Sequence, residues 1–69
     1  MKNEKYVQNR WGVVVPYNVA ETLMDEEIME ELNEELAPCS NQKFFDAYAA
    51  AHELKFGETW ELDKPNPVY

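Results

Sequence analysis

The sequence predicts a small α+β fold in the order β-α-α-β, a helical hairpin packed on a short two-stranded antiparallel sheet. Three observations predict it. Residues 23–36 and 40–56 each place their apolar side chains at helical spacing. A β-branched and aromatic run at 10–15 precedes them, and an alternating segment at 59–62 follows. The chain has 69 residues, which fits one domain over 1–69 and leaves no room for two lobes flanking a cleft. A domain of this size buries only about 60% of its unfolded surface and needs reinforcement. One Cys and one His exclude a disulfide framework or a Cys/His metal cluster. Three Phe, two Trp and four Tyr can supply it instead, each burying about 150–250 Å².

Residues 1–9 read as a polar lead-in arm, in which Tyr6-Val7-Gln8 either extends the strand that follows or frays. They lack the basic start and apolar run of about 7–15 residues that mark a secretory leader, and a lone Cys fits a reducing cytoplasm. No stretch approaches the roughly 20 apolar residues of a membrane span. Arg10-Trp11-Gly12-Val13-Val14-Val15 reads as a strand whose far end Pro16 limits. The first helix is expected over 23–36, with Thr22 and Asp25 as a capping box and Pro38 as its stop. At 100° per residue, Met24, Ile28, Met29, Leu32 and Leu36 share an arc of about 140°. The second helix, 40–56, has Ser40 as N-cap and Gly57 at the C′ position. Its aromatic face holds Phe44, Phe45, Tyr48, Ala49, His52 and Phe56. Thr59-Trp60-Glu61-Leu62 alternates like a half-buried strand and is expected to pair with 10–15. Residues 63–69 close the chain as a tail.

Charge is the main functional signal. Fourteen acidic against six basic residues give a net −8. Residues 1–18 carry Lys2, Lys5 and Arg10 against Glu4, a net +2. Residues 19–37 carry eight carboxylates and no base. This balance opposes direct nucleic-acid binding and adhesion to anionic membranes. Glu26, Glu27, Glu30, Glu31 and Glu34 fall opposite the apolar arc and form the candidate partner-binding face. Like charges at i,i+4 (Glu26–Glu30, Glu27–Glu31, Glu30–Glu34, Glu31–Glu35) each oppose the helix by about 0.2–0.5 kcal/mol. Glu34 and Glu35 lie in the last turn, where the helix dipole favours cations. A face serving solubility alone would mix Lys among these positions. Either Lys2, Lys5 and Arg10 fold back to neutralise it, or a cationic partner does.

Catalysis is not expected. Glycoside hydrolysis needs two carboxyls across a cleft, and the outer face of one helix lines none. No calcium-loop pattern is present, and neither a cofactor nor a metal site is expected. His52 reads as a boundary histidine packed on aromatics with one nitrogen hydrogen-bonded, since no triad spacing surrounds it. Cys39 reads as a small, partly buried hydrophobe.

In size, charge layout and carboxylate-faced helix, the sequence resembles the small acidic inhibitors that phages and mobile elements deploy against host defence, of anti-CRISPR or anti-restriction type. The resemblance implies a non-enzymatic cytoplasmic protein whose partner is a basic surface on a nucleic-acid-handling host protein, occupied by the acidic helix. An alternative is a structural or regulatory module, a homodimer or antitoxin-like partner. That module would associate through Trp11, Trp60 and Tyr17 and use its acids for solubility.

Overall fold

The computed structural model describes residues 5–36 and 39–67. Strands β1 (Tyr6–Gln8) and β2 (Val14–Pro16) are followed by helices α1 (Tyr17–Thr22), α2 (Glu26–Glu35) and α3 (Asn41–Phe56). The fold is α+β as expected. Its order is β-β-α-α-α, which corrects the expected β-α-α-β.

The correction has a local cause. Arg10-Trp11-Gly12, expected inside a strand, forms a turn instead, with Gly12 at φ 80°. The Gly12 N–H donates to the Asn9 carbonyl at 2.9 Å and the Asn9 N–H to the Val13 carbonyl at 3.1 Å. This turn returns the chain onto itself, so β2 pairs antiparallel with β1, Val7 opposite Val15. The expected lead-in arm thus contributes a strand, while residues 1–4 lie outside the described residues. Pairing with a near neighbour closes a far shorter loop than pairing with 59–62, and loop closure costs entropy that grows with length. The Gln42 side chain of α3 caps β1, its Oε1 accepting from the Gln8 N–H and its Nε2 donating to the Gln8 carbonyl, both at 2.8 Å.

Residues 59–62 form no strand. The alternation there is real, because Trp60 and Leu62 are buried, but it serves a turn in which the Asp63 N–H donates to the Trp60 carbonyl at 2.9 Å. Residues 63–67 are likewise not a free tail, since Asp63 is buried and pairs with Arg10 at 2.6 Å. Residues 68–69 lie outside the described residues.

Pro16 ends β2 and serves as N-cap of α1, a helix the sequence reading did not foresee. Thr22, expected to cap the acidic helix, turns its hydroxyl back to the Val19 carbonyl at 2.7 Å. The cap of α2 is Asp25, whose carboxylate accepts from the Ile28 N–H at 3.2 Å. The acidic helix therefore starts at Glu26 rather than Leu23, and it ends one residue before Leu36. Pro38, its expected stop, lies outside the described residues.

The α3 helix follows expectation closely. Ser40 caps it by accepting from the Lys43 N–H at 3.2 Å, and Gly57 terminates it in the left-handed region at φ 73°. Phe45, Tyr48 and Ala49 are buried, Phe44 and His52 are half-buried, and Phe56 reaches the surface. The core gathers around Trp60, whose ring centroid lies 5.2 Å from that of Phe45 and 4.4 Å, edge-on, from that of Tyr48. Val7 and Val15 supply the inner face of the hairpin, and Met24, Ile28 and Leu32 the inner face of the acidic segment.

Candidate interaction surface

The α2 helix packs on α3 with Ile28 and Leu32 buried and Met29 half-buried against the core, which turns its opposite side outward. Glu26, Glu27, Glu30, Glu31 and Glu34 are all exposed, so the five expected partner-binding residues share one solvent face. Glu35 is exposed as well. Its relation to Glu31 at i,i+4 is visible in the sequence and completes the pattern. The face then consists of two parallel rows, Glu26-Glu30-Glu34 and Glu27-Glu31-Glu35, with about 6 Å of helix rise between successive members.

Its N-terminal end is anchored from α3 and from the loop beyond it. The buried Tyr48 hydroxyl accepts from the Asp25 N–H at 2.8 Å and contacts His52 Nδ1 at 3.0 Å. One hydroxyl thus ties His52 to the backbone at the start of α2. His52 is thus the aromatic-packed boundary residue expected, bonded to a tyrosine rather than to a carbonyl or water. Trp60 Nε1 donates to the Leu23 carbonyl at 3.3 Å. Lys55 Nζ reaches Asp25 Oδ2 at 3.5 Å and also pairs with Glu27. The Glu27 carboxylate holds the Lys55 ammonium above its ordinary value.

Among the described residues, neither Lys5 nor Arg10 forms an ion pair with α2. Arg10 pairs with Asp63 and Glu53, and the Asp63 carboxylate holds its guanidinium above the ordinary value. Lys5 lies along a groove beside Tyr17 and Asn41, and Lys2 lies outside the described residues. Among the described residues, Lys55 is the cation that pairs with the acidic segment. Cys39 is exposed, correcting its expected partial burial. Trp60, expected as an exposed contact residue, is 2% exposed and belongs to the core, and Tyr17 is half-buried. Trp11 at the hairpin tip is 57% exposed.

No group of three or more His, Cys, Asp or Glu that could hold a metal ion occurs among the described residues. None of their helices is long and apolar enough to cross a membrane. A carboxylate face anchored on a small aromatic core defines a compact acidic α+β protein. The chain matches the family model of anti-CRISPR protein AcrIC5 over residues 8–60 and belongs to that family. It is an anti-CRISPR-type phage inhibitor of host defence, with a CRISPR–Cas protein complex as its target. Comparison with curated proteins and with solved structures gave no match.

Proposed function

We propose that the chain inhibits its target by laying α2 into a basic groove that otherwise receives nucleic acid, acting by occupancy in the host cytoplasm without catalysis or a cofactor. The observation that supports this is the double carboxylate row. One strand of B-DNA presents a charge about every 3.4 Å of axis. A single row of glutamates, spaced by about 6 Å, offers roughly half that density. Two rows side by side bring the helix to about one charge per 3 Å, close to one phosphate strand. The like-charge neighbours that oppose the helix are the same groups that create this density.

The test is a Glu30→Lys, Glu34→Lys double variant in a host strain whose CRISPR immunity the wild-type chain blocks. Inhibition is expected to be lost, and binding of the wild type to its captured target is expected to weaken steeply with added salt. Undiminished inhibition by the double variant refutes occupancy by the acidic helix. The second reading rests on Trp11. A large aromatic held in the open on a tight turn is a suitable anchor for a second copy or an apolar pocket. That reading expects Trp11→Ala to abolish association while the double lysine variant still inhibits, with little dependence on salt.

A further inference from the structure

We propose that Lys55 is a positioning residue for the inhibitory surface, holding the start of α2 on α3 so that the glutamate rows keep a fixed direction; this rests on the acidic-helix reading above. Lys55 stands in the last turn of α3 and spans both Asp25, the N-cap of α2, and Glu27 in its first turn. Its ammonium also lies 5.8 Å from the centroid of the Phe56 ring, a cation–π distance that restricts where the long side chain can point. The contact works against simple attraction to a cationic partner, because it cancels charge at one end of the face. Glu26, Glu30, Glu31, Glu34 and Glu35 have no such partner among the described ion pairs. The Tyr48 hydroxyl and Trp60 Nε1 hold the backbone at Asp25 and Leu23. Beside the apolar packing of Ile28 and Leu32, Lys55 adds an ion pair to a side chain of α2 beyond its cap, and so restrains the rotation of the helix about its axis.

Lys55→Met separates position from charge. It keeps the apolar stem over Phe56 and makes the chain more negative by one. If attraction alone governs inhibition, Lys55→Met inhibits as well as or better than wild type. If Lys55 positions α2, inhibition falls at least tenfold, Lys55→Arg restores it, and the melting temperature changes by only a few degrees. Amide exchange at Ile28 and Met29 is expected to quicken in Lys55→Met, reporting the loosened first turn. Full inhibition by Lys55→Met alongside failure of Glu30→Lys, Glu34→Lys overturns the positioning role and leaves the acidic-helix reading standing. Full inhibition by the double lysine variant overturns both.

Discussion

The side-chain amide of Asn9 donates to the Leu62 carbonyl at 2.9 Å, across 53 positions of the chain. The same nitrogen donates to the Lys64 carbonyl at 2.8 Å, and Asn9 Oδ1 accepts from the Trp11 and Val13 N–H groups at 2.8 and 3.0 Å. One buried carboxamide therefore fixes the hairpin turn and ties it to the final loop. Arg10 repeats the connection, its Nε donating to Asp63 Oδ2 at 2.8 Å.

Asn9→Ala is expected to destabilise the fold by about 2–4 kcal/mol, because it removes four hydrogen bonds and strands the buried Leu62 carbonyl. Asn9→Asp keeps an acceptor for Trp11 and Val13 but turns a carboxylate toward two carbonyl oxygens, and it is expected to be no better. Urea denaturation with an unchanged m-value measures both. An Asn9→Asp chain as stable as wild type would place the whole contribution in the turn and none in the tie to Leu62.

Phe45→Ala is expected to cost about 3–5 kcal/mol, the range for emptying an aromatic site in a packed core. Phe45 is fully buried and touches Trp60, so Trp60→Ala is expected to fall in the same range. A loss of that size approaches the whole stability of a small domain. Circular dichroism melting within a few degrees of wild type for Phe45→Ala would remove it from the core.

Much of this was legible in the sequence. Helix α3 announced itself because Ser40, the aromatic spacing and Gly57 agree, and agreement among local signals is what fixes an element. The glutamate face was legible because α2 is exposed on one side and 100° periodicity needs no tertiary information. The hairpin was not. Val13-Val14-Val15 advertises a strand but not its partner, and the decisive signal, the capacity of Asn9 and Gly12 to form a turn, is diluted by Arg10 and Trp11 between them. Residues 59–62 misled for a related reason: alternation reports burial on one side, which a turn over a core satisfies as well as a strand does. Lys55 could not be assigned to α2 by sequence, since its two carboxylate partners lie on another helix whose packing angle no local pattern encodes.

Stability is expected to decline at alkaline pH. Burial, with Glu21 and Cys39 nearby, pushes the Tyr17 hydroxyl up from 10.0 to about 12. Burial also raises Tyr48, against the opposing hydrogen bond from Asp25. A group whose folded value is raised contributes stability that is complete below its unfolded value and lost as pH climbs through the folded one. The window for Tyr17 therefore runs from about pH 10 to about 12. Tyr17→Phe is expected to flatten the decline across that window, as followed by denaturant midpoint, and to remove one late-titrating group from the tyrosinate absorbance curve. Loss of a group that titrates near 10 instead, with the decline unchanged, would mean that Tyr17 ionises freely.

The glutamate rows carry a stability cost whose sign depends on position along α2. Glu34 lies in the last turn, where the dipole favours a cation by about 0.3–1 kcal/mol. Glu34→Lys also replaces the repulsion from Glu30 with an attractive i,i+4 pair in the better orientation, Glu before Lys, worth a further few tenths on each side. The variant is expected to be about 1 kcal/mol more stable, which raises the melting temperature of a domain this size by about 4–8 °C. Glu26 lies in the first turn, where the dipole favours an anion. Glu26→Lys forfeits that term, and the pair it forms with Glu30 has the poorer orientation, so the two contributions nearly cancel. Thermal melts of the two single variants at low salt compare them directly, and the gap between them is expected to shrink in high salt, which screens both terms. Equal melting temperatures at low salt would show that these glutamates do not feel the helix dipole. A Glu34→Lys chain that is more stable yet fails to inhibit would mark Glu34 as held for binding at the expense of the fold.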